Sequence, residues 1–288
     1  MEFQIQLPDT FQTMDIRTLL EREWLVPRKT RHFLRIRKGV LVNGDVKMFH
    51  EEVKSADIVT LKLEKSDYPK VSVLCGNQRF VEVLYEDEHI LVVNKPFGMK
   101  THPNQPNETN TLLNHVADYL AKDNQVPYVV HRLDKETSGA ILFAKNPFIL
   151  PILSRMLEKK ELHRVYQAIA SGIIHKNEFT IDKKIGRDRH DRRKRVIDER
   201  GGKRAITHVR LVEVDKQTNT SKLELILDTG RTHQIRVHLQ SIHHAIIGDP
   251  LYAEKFTSRR LMLHARELSF IHPFTKEQLI IQTNDTLF

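Results

Sequence analysis

Residues 128 to 144 set a strongly polar turn between two short apolar runs, so a charged connection has to be held between two buried segments. Tyr128-Val129-Val130 leads in and Ala140-Ile141-Leu142-Phe143-Ala144 leads out; His131-Arg132-Leu133-Asp134-Lys135-Glu136-Thr137-Ser138-Gly139 lies between. Proline is tolerated at the start of a strand but not in its middle, so Pro127 marks where the first run begins. Short β-branched and aromatic runs on either side of a Ser-Gly breaker read as two strands joined by a polar connection. Paired strands hold such a connection still, and reactive groups often sit on connections held in this way. Asp134 is the reactive candidate, because a carboxylate can act as nucleophile or general base. Arg132, two residues earlier, brings a guanidinium suited to a polyanion. The bland alternative is a solvated surface turn.

Upstream, residues 14 to 65 read as a small α+β domain. Ile16, Leu19, Leu20 and Trp24 recur at helical spacing until Pro27 interrupts them. A second helical stretch, Lys29 to Lys38, closes at Gly39 as a C-cap. Its Phe33, Leu34 and Ile36 are expected to pack inward, leaving Arg28, Arg31, Arg35 and Lys38 to face solvent. Val40-Leu41-Val42 then runs into an Asn43-Gly44 hairpin turn, and a strand follows over 57 to 63. Residues 66 to 80 lack periodicity and are expected as the linker or the entry to the large domain.

From Val81 the chain is strand-rich and is expected to form a second domain over 81 to 288. A strand, an acidic turn and a strand span 83 to 95 and end at Pro96. Leu112, Val116 and Leu120 predict an amphipathic helix over 111 to 121, and 147 to 157 a further helix. Alternating strands follow at 164 to 172 and 222 to 228. Between them, residues 183 to 204 are the most basic segment; Arg192, Arg193, Lys194 and Arg195 stand in a row there as candidate phosphate contacts. Thr229 or Thr232 is the expected cap of a helix carrying Ile235, Leu239 and Ile242.

Charge and cysteine content narrow the function. A net charge of +9 favours a polyanionic partner, nucleic acid before membrane surface. No run approaches the roughly 18 apolar residues of a membrane span, and the N-terminal residues lack a signal-peptide pattern. The single Cys75 excludes an intrachain disulfide framework and a thiolate zinc cluster, so a reducing, cytoplasmic compartment is expected. The 16 histidines show no HExxH spacing, Ser138 lacks a nucleophile elbow, and no second carboxylate pairs clearly with Asp134 for glycoside hydrolysis. Metal ions and cofactors are therefore not expected.

The order His131-Arg132-Leu133-Asp134, then Thr137-Ser138-Gly139, resembles the hallmark motif of the RluA-type family of RNA pseudouridine synthases. Lys95-Pro96-Phe97-Gly98, Arg164-Val165-Tyr166-Gln167-Ala168 (arginine for the family's lysine), Thr229-Gly230-Arg231-Thr232-His233-Gln234-Ile235-Arg236 and Gly248-Asp249-Pro250-Leu251-Tyr252 resemble its other motifs. Ala253 stands where glycine is usual. The likeness runs over about residues 81 to 273. Residues 14 to 65 resemble an S4 RNA-binding module, with Ala56-Asp57 in place of its Gly-Asp.

The resemblance implies an α+β protein: a mixed, mostly antiparallel sheet forming the catalytic domain, with a small N-terminal S4-like domain. It implies Asp134 as the catalytic residue, Tyr166 against the uracil, Arg231 as the guanidinium beside Asp134 and Leu263 as an apolar wall. Arg132 would fill the space left by a flipped uridine. The implied partner is RNA, ribosomal RNA ahead of transfer RNA, and the expected oligomeric state is a monomer. A non-catalytic RNA-binding or ribosome-assembly factor of the same fold is the rival reading.

Overall fold

A computed structural model describes residues 1–254, 258–284 and 287. Among them, ten strands make one sheet that carries the large part of the chain. Its path runs Glu178–Asp182, Ile206–Asp215, Thr220–Leu227, His163–Ser171, Leu263–Ile271, Ser138–Ala144, Ile90–Lys95 and Glu82–Glu86. Gln278–Gln282 adds to Leu263–Ile271, and Tyr128–Val129 adds to Ser138–Ala144. The polar stretch 130 to 137 is therefore the connection between two paired strands, with Val129 opposite Phe143.

All pairings in this sheet are antiparallel except one. Ser138–Ala144 runs parallel to Leu263–Ile271 at its centre, with Ser138 beside His264 and Gly139 beside Ala265. Only glycine fits there. A Cβ on Gly139 would stand 2.2 Å from the Ala265 carbonyl oxygen, and the residue adopts φ +115°. The same Ala265 pairs on its other side with Tyr166, so Gly139, Ala265 and Tyr166 lie abreast.

Period-2 alternation divides the apolar residues between two cores. Leu91, Val93, Ile141 and Phe143 face the helix Leu112–Ala121 and share a core with Leu133, Tyr166 and Leu263. Ile90, Val92, Ala140, Leu142 and Ala144 face the helix Ile149–Glu158. Ser138–Ala144, covered on both faces, is buried along its whole length. Leu263–Ile271 contributes to both cores because an irregularity in register opposite Val165 and Tyr166 leaves Arg266 unpaired. Leu263 and Ala265 then point to the first core, and Leu268 and Phe270 to the second.

The small N-terminal sheet has the order Glu2–Gln6, Ile58–Lys62, Val40–Val42, Asp45–Val46, so it begins ahead of the expected start at residue 14. Its apolar residues are continuous with the second core: Phe3 stacks on Phe148 at 5.1 Å, and Trp24 meets Phe274 edge-on at 5.2 Å. The basic helix spans Arg28–Ile36. Two details of it differ from expectation. Ile36 is exposed rather than packed. At the helix end it is Lys38 that turns left-handed, at φ 51°, while Gly39 is required because a Cβ would meet the Lys62 carbonyl oxygen at 2.6 Å. The Asn43-Gly44 turn has both residues at positive φ, as a type I′ hairpin demands.

Candidate active site

The connection bearing Asp134 is held from behind by buried polar groups. Lys95 is fully buried, and its Nζ donates to the carbonyls of Met99 (2.7 Å), Pro96 (2.9 Å) and Lys135 (3.1 Å). Burial pulls the Lys95 ammonium down to about 7 against the attraction of Asp134. Thr101 Oγ1 donates to the Leu133 carbonyl at 2.8 Å, and the Thr137 amide donates to the Asp134 carbonyl at 3.1 Å. The segment is thus fixed on both sides of Asp134 while its carboxylate remains accessible at 19%.

That carboxylate lies in an open cleft of about 530 Å³, lined among others by Arg132, Tyr166, Arg231, His233, Arg236 and Leu263. The guanidinium that meets Asp134 is Arg236, not Arg231: its Nη1 donates to Oδ2 at 3.3 Å. Arg231 lines the same cleft, but its Nε donates to the Arg204 carbonyl at 3.2 Å. The cause is local. The helix begins only at Gln234, and no threonine caps it. Gln234 instead folds inward, accepting from Thr229 Oγ1 and the Arg231 amide and donating to the Ile206 carbonyl. The helix then turns Arg236, and not Arg231, towards the sheet.

Arg236 is almost wholly buried and also grips Asp249, with Nε and Nη2 each donating at 2.7 Å. Burial works against its charge, and the Asp249 carboxylate outweighs it, holding the guanidinium above its ordinary value. Asp249 Oδ1 in turn accepts from the amides of Leu251 and Tyr252. His233 places Nε2 3.7 Å from Asp134 Oδ2. Sequence reasoning does not single out Arg236 or His233. The available signal is a charged residue at 236 between Ile235 and Val237, since a charge flanked by apolar residues needs a partner if the helix is buried.

Tyr166 is buried opposite, and burial raises its phenol well above the ordinary value. Leu263 is buried beside it in the same core, and Arg132 stands exposed on the cleft's lining. Buried Arg164 also lines the cleft, with its Nε unpartnered.

The RNA pseudouridylate synthase family model matches residues 89–241, more than half of the chain. The chain belongs to this family. A second model, the RluD ribosomal pseudouridine synthase N-terminal domain, matches residues 3–59. An uncharacterized RNA pseudouridine synthase of Bacillus subtilis is 41% identical over 248 residues, covering 84% of this chain and 80% of that protein. Ribosomal large subunit pseudouridine synthase D of Neisseria meningitidis is 41% identical over 212 residues, covering 68% of this chain and 56% of that protein. Among solved structures, human RNA pseudouridylate synthase domain containing 1 superposes with a TM-score of 0.60 at 28% identity, covering 73% of this chain and 85% of that one.

The synthase carries cationic groups on two further surfaces. Arg28 and Arg35 on the basic helix and Lys38 just past its end are exposed, whereas Arg31 is partly covered and paired with Glu21. Within the basic segment, residues 185 to 197 form a two-stranded ribbon, Ile185–Arg187 with Arg195–Ile197. At its tip Arg192 and Arg193 are exposed, with Arg193 paired to Asp191 at 2.8 Å; Lys194 is half-buried. Arg195 folds back so that its Nη1 donates to the Lys194 carbonyl, while its amide donates to Tyr252 Oη at 2.8 Å. The ribbon is thereby tied, at the pair next to its tip, to residues around the cleft.

Proposed function

We propose that this synthase isomerises a uridine of ribosomal RNA through the carboxylate of Asp134. The observation that carries the reading is the Asp134–Arg236 ion pair in the cleft that Tyr166 and Leu263 also line. Pseudouridine formation breaks the bond between ribose C1′ and uracil N1, turns the base and joins it through C5. The C5 proton leaves and N1 gains one, so the reaction is balanced without oxidant, reductant or water. A carboxylate suits it, because it can add to the sugar and leave again or take a proton from it. Either route needs the carboxylate oxygens presented to the sugar, and the Arg236 guanidinium fixes their orientation.

A uridine within structured RNA must first leave its stack. Flipping costs on the order of a few kcal/mol and one aromatic stack recovers about 1–3 kcal/mol. Tyr166 against the uracil therefore falls short alone; Arg132 in the vacated space and phosphate contacts from Arg28, Arg35, Lys38 and the ribbon tip supply the remainder.

Ribosomal RNA is favoured by the name of the Neisseria relative and by the match of residues 3–59 to an RluD-type N-terminal domain. The reading places the protein in the cytoplasm as a monomer; among the described residues no helix is long and apolar enough to cross a membrane. Pseudouridine mapping of total RNA from cells carrying the wild type or Asp134→Asn tests it. One ribosomal site lost in the variant is expected; a full set of modified sites, or a loss confined to transfer RNA, overturns it.

A further inference from the structure

We propose that His233 is a positioning residue for Asp134, held as the Nε2–H tautomer by a one-directional hydrogen-bond chain from the Arg195 amide through Tyr252. The inference rests on Asp134 being the catalytic carboxylate. Its starting point is a donor that cannot reverse. The Arg195 backbone N–H lies 2.8 Å from Tyr252 Oη, so the phenol oxygen accepts there. That oxygen carries one hydrogen of its own, and its other partner is His233 Nδ1 at 2.9 Å. If Nδ1 bore the proton, Tyr252 would accept twice and leave its own hydrogen without a partner in a half-buried site. With Tyr252 donating to Nδ1, both contacts are satisfied, and the imidazole hydrogen sits on Nε2.

Nε2 is the atom that faces Asp134 Oδ2, at 3.7 Å. An N–H there turns the positive end of its dipole towards the carboxylate oxygen; a nitrogen lone pair would face that oxygen with like charge. The two ends of the ring thus select the same tautomer. The charged and titratable groups around it are Asp134, Arg236, Arg195, Asp249 and Tyr252, from four different segments. Burial lowers the imidazole below its ordinary value, consistent with a neutral ring. The backbone of His233 is left-handed, at φ 58° and ψ 21°, which aims the ring back across the helix start. Two motifs that the chemistry of Asp134 does not itself use, the histidine before Gln234 and the tyrosine after Gly248-Asp249, are joined by this chain.

The test uses the full-length protein. In ¹⁵N-histidine-labelled enzyme at neutral pH, with the His233 signals assigned by their loss in His233→Gln, Nδ1 is expected unprotonated and Nε2 protonated. An Nδ1–H tautomer or an imidazolium overturns the proposal, and this readout does not depend on any variant being active. Single-turnover kinetics give the second readout. A glutamine amide nitrogen takes the place of Nε2, whereas an asparagine reaches only to Nδ1. His233→Asn is expected to lower kcat by about 10- to 100-fold with KM little changed, and His233→Gln to restore it to within about threefold. Tyr252→Phe is expected to mix the tautomers and lower kcat. Equal impairment of the glutamine and asparagine variants, or activity unchanged in both, overturns the positioning role. An active Asp134→Asn would instead defeat the underlying reading, leaving the tautomer measurement to judge the chain alone.

Discussion

Arg236 holds two carboxylates at once: Nη1 donates to Asp134 at 3.3 Å, and Nε with Nη2 forks onto Asp249 at 2.7 Å. The shorter, fully buried pair anchors the guanidinium and the longer, half-open one is free to respond to substrate. Lysine has no planar fork and cannot serve both. Arg236→Lys is therefore expected to lower kcat by at least about 100-fold. Arg236→Ala leaves Asp249 buried without its partner and is expected to lose about 3–5 kcal/mol of stability as well. Pre-steady-state kinetics and urea denaturation separate the two effects.

Gly139→Ala places a methyl where the Ala265 carbonyl already stands and imposes φ +115° on an L side chain. A loss of at least about 1–3 kcal/mol in urea denaturation is expected. Because Ala265 also pairs with Tyr166, the activity of whatever folds should fall further than RNA affinity does.

His131 is buried, accepts at Nε2 from the Leu142 amide at 3.2 Å, and has no partner at Nδ1. Burial, assisted by Arg164, pushes its folded-state value down to about 3 from 6.5. Between those two values the unfolded chain binds a proton that the native chain refuses, so stability is fully present above 6.5 and falls as pH drops towards 3. Urea titrations at successive pH values should show this slope, and His131→Leu should flatten it. An unchanged slope in the variant would rule out His131 as its source.

Charge removal at Arg28, Arg35 and Lys38 together is expected to weaken RNA binding about equally for all sequences. The slope of log K against log salt should shrink by roughly 0.7–0.9 for each phosphate that no longer meets a cation. Removing Arg192 should do the same, and Arg193, held by Asp191, should change the slope less. Arg31→Ala, whose guanidinium is already paired with Glu21, should change the slope least.

Arg132→Ala is expected to spare turnover of a uridine in a free single strand and to impair a uridine in a hairpin. An unchanged ratio of the two efficiencies would count against Arg132 taking the place of the flipped base.

The short apolar runs in 83 to 95 and 128 to 144 make the central strands legible in the sequence, and the Ser138-Gly139 break locates the held connection. The RluA-type likeness that rests on those residues agrees with the family match over 89–241. Arg236 is not legible because Thr229-Gly230-Arg231 invites a helix start at a threonine. The inward fold of Gln234 delays the helix and changes which arginine meets the sheet, and that depends on partners at Ile206 and Thr207 far along the chain. The ribbon at 185 to 197 escapes for a similar reason: its strands are three residues each, and charge conceals any alternation. Glu2–Gln6 escapes because its register opposite Ile58–Lys62 is a distant pairing with no local turn to announce it.

The aromatic seam of Phe3, Phe148, Trp24 and Phe274 makes the N-terminal sheet part of the wall behind the central strands. A chain shortened to begin after residue 65 would bare Phe148 and Phe274 to water, so it should aggregate rather than survive as a trimmed enzyme. The same seam ties the domain of the basic helix and the central strands to one continuous core, so the two should move together rather than about a hinge.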